Sequence, residues 1–321
     1  MLSKIEIYGD LFAKDAADFQ LIIDYFSNQS KDVHAVVNFE GVVTDNDLTY
    51  GGRAVGLSAF YDDASCASLD RLWFTLNNNH VLDFGTQQFA HTKAILGRRW
   101  VGSNRTFEIG DVSFVLVADE FENCLPDEID SHRFSPALLD VDLQGKVVIV
   151  HGGLEYSPDP SPYQRCLALR LAEKRPKAIV FIHSHVIGRK EVQGGVPIYY
   201  GLGNFVFSRV AGRHGLESCH SIALSLQGDI IQEFAMIINE GKIEKHPIKL
   251  DVTTYPNSHK DYKRLFTKLR PIDASLRPRG MFKSYQLNKL HRRLYLILVT
   301  PIIHMRIQNM VKNVIKRFAG I

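Results

Sequence analysis

The segment FIHSHV at 181–186 closes an apolar run, AIVFI, with two histidines one residue apart. On a β-strand, positions i and i+2 share a face, so His183 and His185 are expected to point the same way, and two imidazoles on one face can converge on one ion. Further ligand types follow other apolar runs: Asp10 after IEIYG, Glu40 after HAVVNF, Asn79 and His80 after RLWFTLNN, and His151 after KVVIV. Carboxylate, amide and imidazole together suit borderline or hard divalent cations such as Mn²⁺, Fe²⁺ or Zn²⁺, one or two of them. Singly, each residue also has a plain structural use. Asp10 beside Gly9 could form a turn, Asn77 to Asn79 a polar loop, and His151 before Gly152-Gly153 a satisfied strand-end histidine. Their recurrence at one strand end after another favours a metal centre.

The elements that must position these residues are legible as periodicity. KIEIY, HAVVNF, RLWFTL, VSFVLVA, GKVVIV and KAIVFI are nearly continuous apolar runs, the pattern of strands buried on both faces. Between them DAADFQLIIDYFSNQ, TQQFAHTKAIL and PSPYQRCLALRLAEK repeat apolar residues at threes and fours, as amphipathic helices do. This alternation predicts an α/β domain, and in open α/β sheets ligands bind outside the carboxyl ends of the strands. From VPIYYGLGNFVF onward, Gly-Asp and Glu-Gly turns predict an antiparallel section.

N-F-E-G at 38–41, N-N-H-V-L-D-F-G at 78–85, H-G-G-L-E-Y at 151–156, H-S-H-V at 183–186 and G-L-G-N-F-V-F-S at 201–208 resemble, in order, the motifs of the bacterial capsule-synthesis CapA family. That family is associated with capsule and poly-γ-glutamate production and with the calcineurin-like metallophosphatases. The resemblance implies a two-sheet sandwich flanked by helices and a metal-dependent phosphoester hydrolase. In that scheme Asp10 holds a first metal, Glu40 bridges, Asn79 and His151 hold a second, and His183 and His185 divide between them. The two ions would polarise a phosphoryl oxygen and generate a hydroxide nucleophile. His80 corresponds to the general acid and Asp83 to its orienting partner. Asn38, Glu155 and Asn204 fall in the same motifs as supporting or substrate-binding residues, although Asn204 in a Gly-Asn pair also reads as a turn former and Glu155 as a surface carboxylate. Phe12 stands where the superfamily carries a further histidine, which leaves the first site Asp10, Glu40, His185 and water. The other class of function compatible with these residues is a non-catalytic, metal-stabilised scaffold or binding protein of the polymer synthesis or export machinery.

The chain as a whole sets the remaining bounds. Its 321 residues, 45% hydrophobic and 23% charged, are those of a globular protein with a sizeable core. Cys66, Cys124, Cys166 and Cys219 form no C-x-x-C pair and read as reduced thiols. The net charge of +3 conceals an asymmetry. Residues 251–321 hold 15 Lys and Arg against 3 Asp, a net of +12, which leaves 3 − 12 = −9 for residues 1–250. A metallophosphatase-like domain over 1–250 and a basic helical extension over 251–321 are therefore expected. Ile303, Ile307, Met310, Val311, Val314 and Phe318 recur on one helical face among Arg306, Lys312, Lys316 and Arg317, which suits an anionic membrane surface or the acidic body. Few aromatics interleave with these charges, so nucleic acid is not expected. No secretory signal or spanning segment is legible, and the expected location is cytoplasmic, peripheral to the inner membrane face. The expected partners are a phosphoester or polymer-precursor substrate and a polymer-synthesis complex.

Overall fold

A computed structural model describes residues 4–43, 58–62, 70–101, 106–118, 132–133, 141–153, 155–208 and 220–255. All of the basic extension after residue 255, its expected amphipathic helix included, therefore lies outside the described residues. The chain forms two compact units, Met1–Asp159 with Leu171–Thr254, and Pro160–Arg170 with Tyr255–Ile321.

The larger unit is an α/β sandwich of two sheets. In the first, β1 (Lys4–Phe12), β2 (Val33–Phe39), β5 (Leu72–Thr75) and β6 (Trp100–Val101) run parallel. β15 (His220–Gln227), β16 (Ile230–Asn239) and β17 (Lys242–Ile248) add the expected antiparallel section beyond β1. The Glu240-Gly241 hairpin turn has φ 48° and 71°, the left-handed pair that suits strand twist. Beside the carboxyl half of β1, β14 (Asn204–Phe207) takes over from β15 as its neighbour. In the second sheet, β8 (Val112–Ala118), β10 (Val147–His151), β11 (Ala178–Ile182) and β13 (Val196–Tyr199) are parallel, and β7 (Thr106–Ile109) and β12 (Lys190–Gln193) are antiparallel edges. β9 (His132–Arg133) pairs with β8, and β3 (Val42–Val43) with β4 (Ser58–Ala59).

Ile5, Ile7, Val36, Leu116, Ile149, Val180 and Leu224 fill the space between the sheets. The outer face of the first sheet is a second core, in which Tyr8, Phe39, Phe74 and Phe205 meet residues of α1 (Ala16–Ser27) and α2 (Gly85–Leu96). Asp15 begins α1 by accepting the Ala17 and Asp18 amides, each at 3.0 Å. The three helices expected between the strands form, including α3 (Pro162–Ala172), where Ser161 Oγ accepts from Gln164 N–H at 3.0 Å. Among the described residues no helix is long and apolar enough to cross a membrane.

Candidate metal centre

The site begins with a fault in β1. Ile7 pairs with Val36, yet Asp10 pairs with Asn38, so three steps along β1 match two along β2, which is a β-bulge. Tyr8 lies in the outer core, and plain alternation would send Asp10 to that same face. The extra residue turns Asp10 inward instead, where Asn38 Nδ2 donates to its Oδ1 at 2.7 Å. Gly9 permits the bulge: a Cβ there would lie 1.8 Å from the Gly203 carbonyl oxygen, whose position is fixed by the Asp10 amide at 3.2 Å. Asp10 is therefore neither a turn former nor a strand-end residue; it sits within β1, with Leu11 and Phe12 still to follow.

Glu40 follows β2, its amide bonded to the Leu11 carbonyl at 2.9 Å. Asn77, Asn78, Asn79 and His80 form the loop after β5, and His151 is the last residue of β10. His183 and His185 lie beyond the end of β11, with φ of 121° and 59°. The shared strand face expected for them does not exist, because strand alternation stops at Ile182; the two rings lie 5.8 Å apart, centroid to centroid, yet fall in different triads. Gly201 makes room for this loop: a Cβ there would meet Ser184 Oγ at 2.2 Å.

Two triads of ligand atoms result, Asp10–Glu40–His185 and Glu40–His151–His183, each with all its atoms within 4.8 Å of one another and with every residue buried. Glu40 belongs to both. Asn79 Oδ1 lies 3.0 Å from His151 Nε2, about the separation of adjacent ligands on an ion with bonds of ~2.1 Å. Asn204 Oδ1 lies 2.9 Å from His185 Nδ1, so a proton on that nitrogen leaves Nε2 facing Glu40 Oε1 at 3.8 Å. The turn reading of Asn204 gives way here: Gly203, at φ 76°, makes the turn, and Asn204 opens β14 in register with Asp10. Glu155 Oε1 stands 3.7 Å from His183 Nε2, and the Tyr156 ring stacks on His185 at 5.6 Å. His80 Nδ1 is 2.6 Å from Asp83 Oδ2, which leaves Nε2 3.7 Å from Glu40 Oε1.

Charge balance shows whether these residues fit a cation. Elsewhere in the fold, buried glutamates are answered: Glu6 takes the Lys245 ammonium and the Tyr8 hydroxyl, and Glu233 takes Lys190, the Tyr199 hydroxyl and the Leu250 amide. Glu40 is buried with no hydrogen-bond donor on either carboxylate oxygen, and Asp10 Oδ2 is likewise without one. Burial, then the adjoining Asp10, pushes the Glu40 carboxyl well above its ordinary range. Burial also raises Asp10, against the opposing pull of His185 and the Asn38 amide. Burial, then the neighbouring histidines, pushes His151 well below the usual imidazole range, so it is a neutral ligand near neutrality. Buried anions without donors beside neutral imidazoles are the charge pattern that divalent cations complete.

Residues 125–209 match the family described as bacterial capsule synthesis protein PGA_cap. Over 82 residues the chain is 38% identical to the PGA biosynthesis protein CapA of Bacillus subtilis (strain 168), covering 25% of this chain and 22% of that protein. Over 63 residues it is 41% identical to the capsule biosynthesis protein CapA of Bacillus anthracis, covering 20% of this chain and 15% of that one. Over this segment the chain is similar to the CapA capsule-synthesis family. It spans only 22% and 15% of the lengths of these two curated relatives. Among solved structures, a hypothetical protein from Thermus thermophilus aligns with TM-score 0.37 at 16% identity, over 76% of this chain and 98% of that one. GAP50, titled the anchor in the inner membrane complex of Plasmodium, aligns with TM-score 0.43 at 13% identity, over 83% and 94%.

The CapA-matching segment supplies His151, Glu155, His183, His185 and Asn204. Asp10, Asn38, Glu40, Asn79, His80 and Asp83 come from outside it, and parallel pairing of β1, β2 and β5 carries them to the same end of the fold. Phe12, where the resemblance leads one to expect a further histidine, is a core residue against Phe207 (5.4 Å), which in turn meets the His185 ring at 5.0 Å. Two contributors were not singled out by sequence: the Gly9 bulge and Asn78. The pair Gly9-Asp10 signals a turn and a bulge equally well, and Asn78 is hidden in a run of three asparagines.

Proposed function

We propose that this chain is a metal-dependent phosphoester hydrolase serving the synthesis of capsule or another cell-surface polymer, polysaccharide or poly-γ-glutamate. The observation that carries the reading is Glu40, donor-less on both oxygens and shared by two triads, with the His80–Asp83 pair facing it. Asp10, Glu40 and His185 would hold one divalent ion, and Glu40, His151, His183 and Asn79 a second; Mn, Fe and Zn fit this donor set. Bound there, such ions supply Lewis-acid charge for a phosphoryl group. The chain's own part is orientation and proton delivery. Asp83 accepts the His80 Nδ1 proton and fixes the ring, so that Nε2 can protonate a leaving oxygen at the mouth of the site. Asn204 and Asn38 hold His185 and Asp10 in place, and the Phe12–Phe207 pair backs the first site with apolar surface.

The test is metal content followed by hydrolysis. Purified protein is expected to carry one to two equivalents of transition metal, falling sharply in His151→Ala and His183→Ala. His80→Asn is expected to keep the metal and to lose about 10²-fold or more on alkyl phosphates, less on aryl phosphates with better leaving groups. Metal-free, folded wild type would refute the assignment. The replacement of a ligand histidine by Phe12 favours a second reading, a metal-stabilised scaffold of the polymer-synthesis machinery. Metal-loaded protein inert on every ester would leave that reading standing.

A further inference from the structure

Asn78 is fully buried and belongs to neither triad. Its neighbours in the loop act separately, Asn77 on the Val117 carbonyl and Asn79 on His151. Its own carboxamide makes three bonds. Nδ2 donates to the Phe39 carbonyl at 2.8 Å and to Asn38 Oδ1 at 3.3 Å, while Oδ1 accepts the His80 amide at 3.1 Å. We propose that Asn78 is the positioning residue that locks the metal-binding edge of β2 to the loop bearing the proton donor. Phe39 immediately precedes Glu40. Asn38 Oδ1 receives both Asn78 and the Thr75 hydroxyl (3.3 Å), so its NH₂ group must be the end that faces Asp10. One amide thus sets the Asn38 orientation, the Glu40 approach and the His80 backbone together. A residue needed only for the loop's turn would require the acceptor alone, which a serine hydroxyl also supplies. The two donations point to the larger role, since no neutral side chain other than an amide offers two N–H groups and an acceptor at that reach.

The kinetic consequence rests on the hydrolase reading; the structural one does not. In the full-length chain, Asn78→Ser keeps an acceptor for the His80 amide and loses the paired donors, whereas Asn78→Ala loses both. Mn²⁺ affinity, measured by competition with a chelator, is expected to fall about tenfold or more in both variants, the usual scale for a residue that orients ligands. Hydrogen exchange at the His80 amide is expected to speed up about tenfold or more in Asn78→Ala and to stay near wild type in Asn78→Ser, with the Glu40 amide unchanged in both. At saturating metal, Asn78→Ala is expected to lower turnover of alkyl phosphates about tenfold with KM unchanged, and to add nothing in a His80→Asn background. Wild-type metal affinity in Asn78→Ser would reduce Asn78 to a turn residue and overturn the proposal. So would alkyl and aryl losses that are equal and additive with His80→Asn. Should no ester be hydrolysed even by wild type, the hydrolase reading fails, while metal affinity and His80 exchange still decide the role of Asn78. Should Asn78→Ala not fold, the metal affinity of Asn78→Ser decides alone.

Discussion

Replacing Glu40 by glutamine should stabilise the metal-free protein and destabilise it relative to wild type once metal is present. Glu40 is buried, lacks hydrogen-bond donors and stands beside Asp10, so its carboxyl is raised well above 4.5. For an acid with a raised folded pKa, the folded state binds more protons than the unfolded one. Stability is then highest below 4.5 and falls as pH rises from there toward the folded value. The penalty has a ceiling, because the folded chain can keep Glu40 protonated, at about 1.4 kcal/mol per pH unit above the ordinary value. At pH 7 that ceiling is about 3 kcal/mol; at pH 5 it is below about 1 kcal/mol. Glutamine has the shape of the protonated acid and no such penalty. In excess chelator, Glu40→Gln is therefore expected to melt higher at pH 7 by up to ~10 °C, at about 2–4 °C per kcal/mol, with the gap closing toward pH 5. His151, depressed by burial, contributes the opposite slope, but it is present in both proteins and cancels in the difference. With Mn²⁺ at about 1,000 times its Kd, wild type gains about 4.1 kcal/mol, more than that ceiling, and the order reverses, because Glu40→Gln has lost the shared ligand. The assay is thermal unfolding by calorimetry at pH 5, 6 and 7, with chelator and with metal. A gap in chelator that is absent at pH 7, or that does not change with pH, would refute the view that Glu40 is an uncompensated buried charge.

Gly9→Ala should be more damaging than its size suggests. The added methyl meets the Gly203 carbonyl at 1.8 Å, so the bulge must shift; a loss of about 3 kcal/mol and of bound metal is expected in melting and elemental analysis, whereas intact metal binding would show that the bulge does not place Asp10. Phe12→His should not strengthen the first site, since position 12 packs in the outer core; melting should drop by the equivalent of about 2–4 kcal/mol with no gain in metal stoichiometry. The +12 net charge of residues 251–321 should give salt-sensitive sedimentation with anionic but not neutral liposomes, lost on truncation after Tyr255; full-length protein remaining in the supernatant at low salt would end that proposal.

The parts of this fold that are repetitive were legible, and the parts that depend on a single register were not. Apolar runs and three-four spacing reveal the strands and helices because burial of a face repeats along an element. The Gly-Asp and Glu-Gly turns reveal the hairpins because left-handed backbone is chemically selective, and Gly228, Glu240 and Gly241 adopt it. That ligand types gather at strand ends was legible for the same reason: parallel strands place successive carboxyl ends on one side. Where each ligand points was not. Asp10 reaches the centre only because one extra residue in β1 reverses its face, and nothing in Y-G-D distinguishes that bulge from a turn. His183 and His185 were assigned to one strand face, yet strand pairing ends at Ile182 and their left-handed backbone sends them to different triads. The two departures have one consequence. A strictly alternating pair of strands would have presented Asp10 to the outer core and both histidines to a single ion. Breaking alternation at both places brings Asp10 to His185 and leaves His183 to His151, with Glu40 between the groups. The two local irregularities, glycine-dependent through Gly9 and Gly201, therefore decide how the ligand types divide into two triads, while the regular elements decide only where the site lies.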